Sequence, residues 1–281
     1  MISRTISLTG QTVHLVDVPA SADEHRTPLV LLHGGAVDHR MWSPQLAAFP
    51  ERRVIAPDAR GHGDSSDADA EAPYRLADDV VAVLDALDID RAVLAGVSMG
   101  GGTAVDIALE YPDRCAALVV SGTGTSEPTF TDRWSLDAFG AWRRAEAEGD
   151  AEAWIEVFMR FTHGPYRDRG DVDLAIDALI ERMARDTLGH LRFDDHGTPL
   201  PPTPPTPVTR TWKRANRIQV PVLALNGALD GPDHRENGRR LAGVVPHGAY
   251  AEIDGAAHYA NLEEPTEYAR AIQDFLRAHE L

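Results

Sequence analysis

The stretch VLAGVSMGGGTAVDIALEYP, residues 93–112, decides how the rest of the chain is read. It opens with an apolar run too short for a helix and passes through Gly96-Val97-Ser98-Met99-Gly100. It then continues as a helical pattern that stops before Pro112. A buried strand, a sharp turn and a helix satisfy that order. Glycines two before and two after Ser98 let the backbone turn tightly without overlap, which leaves the serine exposed and held in place. A serine hydroxyl is a poor nucleophile at its free pKa, so the position matters only if a base stands near it. The helix that follows directs its positive dipole end at the same point, and the amide of Met99 faces a developing oxyanion there. Small residues at a strand-helix junction also arise for packing alone, so the surrounding chain has to carry the reading.

Outward from this stretch, short apolar runs flanked by Gly, Pro or Asp recur. They are PLVLLHG (28–34), RVIAPD (53–58), RAVLAGVS (91–98) and AALVVSG (116–122), patterned as buried strands of a parallel sheet. Between them, YRLADDVVAVLDALDI (74–89) spaces Leu76, Val80, Val83, Leu84 and Leu87 as one face of a helix. The β, α, β, α order implies right-handed crossovers and an α/β fold with a doubly wound, mostly parallel sheet. From Thr125 to Arg217 the alternation disappears. Three helices are predicted there, near 132–148, 151–161 and 171–187, followed by HGTPLPPTPPTPVTRTW (196–212). Six of the 19 prolines fall within 199–207, which predicts an extended, partly polyproline strap. Strands resume at PVLALNG (221–227) and GAYAEIDG (248–255), and the chain closes on the helix PTEYARAIQDFLRAHE (265–280). Residues 1–124 and 218–281 thus read as one core, with 125–217 inserted as a helical cap.

Composition bounds the partners. The 281 residues hold 27 Lys+Arg against 44 Asp+Glu, a formal net charge of −17, and Lys213 is the sole lysine. An acidic surface disfavours nucleic acid and anionic membrane, so a small-molecule substrate is expected, for a monomer or small homo-oligomer. The single cysteine, Cys115, enters a strand and reads as a small core residue; alone it forms neither an intrachain disulfide nor a cysteine-clustered metal site. MISRTISLTGQTVHLVDVP (1–19) lacks the apolar core of a signal peptide, and no run reaches membrane-spanning length, so a cytoplasmic protein is expected.

Three further stretches bear on Ser98. His33-Gly34-Gly35 follows a strand and ends in a flexible turn, either an ordinary turn or a source of a second oxyanion donor. In NGALDGPDH (226–234), Asp230 follows a strand closely, with Asp233 as its rival, and an aspartate in such a loop can also cap a helix. In DGAAHYANLEEP (254–265), His258 stands between a strand and the last helix. Ser98, Asp230 and His258 each lie at a strand's C-terminal end, the edge where open α/β sheets bind ligands. Asp58, Arg60, His62 and Asp64 in PDARGHGDS resemble an acid-base or metal cluster, but a turn whose polar groups satisfy one another explains them more simply. His39 and His62 reach a metal only if carboxylates fold beside them, so no metal and no cofactor are expected.

HGGAVDHRMW (33–42), APDARGHGDS (56–65), GVSMGG (96–101) and GAAHYANLEEP (255–265), in the order serine, acid, histidine, resemble the α/β-hydrolase superfamily, in its serine esterase, enol-lactonase and cofactor-free haloperoxidase-like branch. The resemblance covers the core and leaves residues 125–217 nearly unmatched. It implies Ser98 as nucleophile, His258 as general base and then acid, and Asp230 as the carboxylate that orients the imidazole. Gly35 and Met99 would give backbone N–H groups to the oxyanion. It also implies that the 58–65 turn braces the site.

A serine rather than an aspartate at the turn favours acyl transfer at an ester or lactone carbonyl over dehalogenation or epoxide opening. The insertion holds Trp134, Trp142, Trp154 and Trp212, with Phe139, Phe158 and Phe161. Trp134, Trp142, Trp154 and Phe158 are the expected substrate-binding residues, for a medium-sized apolar or aromatic molecule. Trp154, Phe158 and Phe161 also have the i, i+4, i+7 spacing of a stripe that packs a helix onto its neighbours. Two other readings keep the fold: an enzyme that does not acylate Ser98, such as a C–C bond hydrolase or a cyclase, and a ligand-binding receptor with little turnover.

Overall fold

A computed structural model of the chain describes all residues except 22–25, 69–71, 191, 194–198 and 201–203. Its strands are β1 (Ile2–Leu8), β2 (Gln11–Val18), β3 (Leu29–Leu32), β4 (Val54–Pro57), β5 (Ala92–Val97), β6 (Cys115–Ser121), β7 (Arg192–Phe193), β8 (Pro199–Leu200), β9 (Val222–Gly227) and β10 (Gly248–Ile253). Its α-helices are α1 (Leu76–Ala86), α2 (Met99–Glu110), α3 (Arg133–Glu148), α4 (Ala151–His163), α5 (Leu174–Leu188), α6 (Thr211–Arg214), α7 (Pro232–Val244), α8 (Ala260–Glu263) and α9 (Pro265–Ala278).

Eight strands form one sheet in the order β1-β2-β4-β3-β5-β6-β9-β10. The first hairpin, β1 and β2, turns through Gly10 and meets β4 antiparallel; every other pairing is parallel. The inner strands are buried on both faces, which is why they read as unbroken apolar runs. Their side chains still alternate. Leu29, Leu31, Val93 and Ala95 pack toward Trp42, Tyr268 and Ile272, whereas Val30, Leu32 and Leu94 pack toward α1, α2 and α7. Among the described residues no helix is long and apolar enough to cross a membrane.

The sheet reverses its winding at β3, which has β4 on one side and β5 on the other. The crevice beyond the C-terminal ends of β3 and β5 is therefore the expected place for a ligand. The helix after β5 can approach β3 only because residue 100 lacks a side chain: a Cβ there would lie 2.2 Å from the Leu32 carbonyl oxygen and 2.6 Å from that of His33. Both obstacles are main chain and cannot rotate aside.

After β6 the chain leaves the sheet for α3, α4 and α5. Each starts on an aspartate, Asp132, Asp150 or Asp173, whose carboxylate accepts a first-turn N–H. The proline-rich stretch forms neither helix nor strand over 204–210, and Arg210 at its end is left-handed, with φ 56° and ψ 35°. Pro199–Leu200 pairs with Arg192–Phe193 in a short antiparallel ladder, and residues 201–203 of the expected strap lie outside the described residues. The stretch is anchored by the Thr206 N–H, which donates to the Tyr74 carbonyl at 2.7 Å. The start and the end of the excursion are clipped together. The Glu127 carboxylate accepts the N–H groups of Arg210 (3.1 Å) and Thr211 (2.6 Å), and its carbonyl accepts the Trp212 indole N–H at 2.7 Å.

Candidate active site

Ser98 occupies the single residue between β5 and α2, with φ 51° and ψ −112°, a left-handed conformation that costs a non-glycine residue about 1–3 kcal/mol. It is held there from both sides: its N–H donates to the Ser121 carbonyl at 2.8 Å, and its carbonyl accepts the Gly102 N–H at 2.9 Å. The hydroxyl has no hydrogen-bond partner among the described residues and borders a cavity of about 410 Å³.

His258, on the loop after β10, borders the same cavity. Its Nδ1 lies 3.0 Å from Asp230 Oδ2, and the second oxygen of Asp230 accepts the Gly231 N–H at 2.7 Å. Asp230 is fully buried. Burial pushes its carboxyl upward, but the charges of His258 and His234 and the two hydrogen bonds outweigh this and hold it below the usual carboxylate range. An ionised Asp230 accepts from Nδ1–H, which leaves Nε2 of the neutral ring as a base. Gly122, at φ 65°, makes room for the ring, since a Cβ there would stand 2.5 Å from His258 Cε1. His258 Nε2 and Ser98 Oγ are not hydrogen-bonded to each other in this unliganded geometry, a contact that typically closes with substrate present.

The loop after β3 supplies the other side. The Gly34 N–H donates to Met41 Sδ (3.4 Å) and the Ala36 N–H to His62 Nε2 (3.3 Å), so the two amides that flank Gly35 are occupied. Among the described residues the Gly35 N–H is not, and neither is the Met99 N–H, which as the first of α2 has no intrahelical acceptor. Both residues line the cavity with Ser98.

The residues singled out from the sequence fall into two groups. Gly35, Ser98, Met99, Trp142, Phe158 and His258 meet at the cavity, with Asp230 directly behind His258. Trp134 and Trp154 are not on its wall. Trp154 stacks on Phe158 (centroids 5.7 Å apart) inside the helical layer, and Trp134 stands edge-on to Phe161 (5.5 Å) and against Gly231. Asp233 accepts the N–H groups of Thr131 and Asp132, fixing the entry to α3 instead of facing His258. Cys115 is buried, and burial raises its thiol to about 12.

Three wall residues had no role in the sequence reading. His234 is buried among aromatic rings, its centroid 4.9 Å from that of His258, and burial lowers it to about 4, so it is neutral. Arg75 and Asp106 form a polar stretch of wall. Among the described residues two groups have metal-ligand spacing, His14-His39-Asp58 and Asp230-His234-His258. In the first, Asp58 already accepts from the His39 and Asp64 amides and bonds the rings of His14 and His39. In the second, Asp230 and His258 are bonded to each other.

The Asp58 cluster underpins the Gly35 loop. Burial works against both charges there. Even so, the Asp58 hydrogen bond and charge, with the charge of Asp38, hold His39 above the ordinary imidazole value, and the bond from His39 helps hold Asp58 well below the carboxylate range. A histidine so raised adds stability below its unfolded value of 6.5 and loses it as pH climbs through the folded value. His39→Gln keeps a donor without the charge. It is expected to cost about 1–2 kcal/mol near pH 5.5 and progressively less as pH rises above 6.5 through the folded value. Calorimetry across that range checks this, and a cost that does not vary with pH would contradict it.

A family model described as the alpha/beta hydrolase fold matches residues 27–265. The chain is 25% identical to 3-oxoadipate enol-lactonase 1 of Acinetobacter baylyi, over 98% of this chain and 97% of that one. It is 36% identical to the 2-hydroxymuconate semialdehyde hydrolase of a Pseudomonas species, over 98% and 94% respectively. The crystal structure of an enol-lactonase from Burkholderia xenovorans superposes with a TM-score of 0.72 at 26% identity, covering 98% of this chain and all of that one.

Proposed function

The chain belongs to the α/β-hydrolase fold family, and we propose that within it this protein hydrolyses a carboxylic ester or lactone through an acyl-enzyme on Ser98. The observation that carries the proposal is the pair of unoccupied N–H groups, Gly35 and Met99, that share one cavity with the strained Ser98. Donors that line a cavity without a partner are free to meet a ligand, and a tetrahedral oxyanion is the group they suit.

In the proposed sequence His258 Nε2 takes the Ser98 proton as Oγ attacks the carbonyl carbon. The negative charge moves onto the carbonyl oxygen between the two amides, each worth about 3–4 kcal/mol to the transition state. Asp230 stabilises the imidazolium. The leaving alcohol departs with the proton from Nε2; water then passes a proton to Nε2, attacks the acyl carbon, and releases the acid and Ser98. Residues 125–217 act as a cap, whose Phe139, Trp142, Phe158 and Phe161 present an aromatic wall to the substrate. The enol-lactonase likenesses support this reading. A second reading, hydrolysis of a C–C bond without acylation of Ser98, draws on the 36% identity to a 2-hydroxymuconate semialdehyde hydrolase.

The test is a pre-steady-state burst with short and medium p-nitrophenyl esters, with mass analysis of trapped protein. A burst with acyl mass on the peptide that carries Ser98 is expected. Turnover with no adduct on that peptide would overturn the acyl-enzyme, and tight binding without turnover would point to a receptor.

A further inference from the structure

We propose that Arg75 and Asp106 form a recognition subsite for a hydroxyl group carried on the substrate's acyl chain, remote from the scissile carbonyl. The proposal rests on the acyl-transfer reading and adds a substrate class to it.

Asp106 sits on α2 eight residues after Ser98, about 12 Å along the axis at about 1.5 Å per residue. With Met99, Gly102 and Thr103 it gives one side of α2 to the cavity. It is only 9% exposed, and among the described residues no cation lies within ion-pair distance of it. Its Oδ1 accepts the Ser126 hydroxyl at 2.6 Å, whereas Oδ2 has no partner among the described residues. A carboxyl on the buried face of a helix is expensive where alanine or valine would pack, and one serine hydroxyl satisfies only half of it.

Beside it, Arg75 at the start of α1 shows a complementary shortfall. One terminal nitrogen reaches Glu110 at 3.3 Å, but the buried Nε has no hydrogen-bond partner and stands 3.7 Å from the nearest Asp78 oxygen. The Thr206 segment, tied to Tyr74, adds to the same wall. The Arg75 guanidinium and the Asp106 carboxylate, whose Oδ2 has no partner among the described residues, thus border a common cavity.

Charge selects the ligand. A carboxylate is opposed by Asp106 with Glu110 and Glu127 against one guanidinium, and an ammonium group has no lone pair to accept from Arg75. A hydroxyl satisfies both sides, giving its proton to Asp106 Oδ2 and accepting from the Arg75 guanidinium.

Burial first, with Glu110 of α2 and Glu127 of the loop after β6, raises Asp106 to about 7, against the pull of the Ser126 bond and the charge of Arg75 on α1. The ionised form is the stronger acceptor, so preference for the hydroxyl should grow as pH rises through about 7. A ratio of rates on two esters cancels any ionisation they share.

The experiment compares p-nitrophenyl alkanoates of increasing length with their ω-hydroxy counterparts. At the length that reaches Asp106, kcat/KM should favour the hydroxy ester by about 10-fold or more, chiefly through KM, and increasingly from about pH 6 to about 8. Asp106→Ala and Arg75→Met should each bring the ratio to about one. Asp106→Asn, which matches the shape and can still bond Ser126, should keep a preference that no longer varies with pH; if the alanine variant does not fold, this slope decides. No preference at any length, or one that persists in folded Asp106→Ala, or an unchanged slope in Asp106→Asn, would overturn the subsite alone. Cleavage of no ester by the wild type would overturn the acyl-transfer reading and the subsite with it.

Discussion

Ser98→Ala should lower kcat on a medium-chain p-nitrophenyl ester by about four to six orders of magnitude, with KM changed little. On the proposed acyl-enzyme reading the loss is large because the variant has no nucleophile for His258 to activate, while the Gly35 and Met99 amides still line the cavity. The protein itself should be nearly indifferent. The Ser98 hydroxyl makes no hydrogen bond among the described residues, and alanine bears the same Cβ at the same positive φ. Unfolding midpoints should therefore agree, with stability within about 0.5 kcal/mol, so lost activity cannot be confused with lost structure. Stopped-flow rates together with a thermal scan make the comparison. Activity within about tenfold of wild type would assign the chemistry to another group.

Asp230→Asn should be almost as damaging, about 10⁴-fold in kcat, for a different reason. The carboxylate has two commitments: one oxygen accepts the Gly231 N–H and the other faces His258 Nδ1. An asparagine that keeps the first must turn its NH₂ toward the ring. The imidazole then accepts at Nδ1 and carries its proton on Nε2, the tautomer that cannot take a proton from Ser98. The protein should remain folded, since the shapes match. Rates measured at neutral pH against the folded fraction test this. A loss below about tenfold would mean that another carboxylate serves His258, and Asp233 is a poor substitute while it holds the amides of Thr131 and Asp132.

Much of this architecture was legible in the sequence because the signals were backbone signals. Glycines at 96 and 100 stand where no side chain fits, and strands buried on both faces are written as apolar runs. The histidine and the aspartate were found by their places after strands. Side-chain direction was less accessible. Four aromatic residues were expected around the substrate, but helix packing turns Trp154 into the layer behind Phe158 and Trp134 against Gly231. The i, i+4, i+7 stripe of α4 packs its helix, as the spacing suggests, yet Phe158 and Phe161 also meet the cavity. Asp106 left a readable trace, a carboxylate flanked by the Ala, Val and Ile of α2. His234 left little, because only the fold brings position 234 beside His258.

The Glu127 clasp has a consequence for how such a protein can change over time. The path that departs after β6 returns to the point it left, with Thr211 and Trp212 fastened to the residue that opened the detour. Whatever lies between is topologically a closed bight on a finished sheet. Its length, helices and aromatic rings can be exchanged at little entropic cost to the scaffold, because the two ends are already joined. The strained serine, the imidazole and its carboxylate sit on the other side of that joint. Variation in the aromatic part of the cavity wall is thereby uncoupled from variation in the serine, the imidazole and its carboxylate.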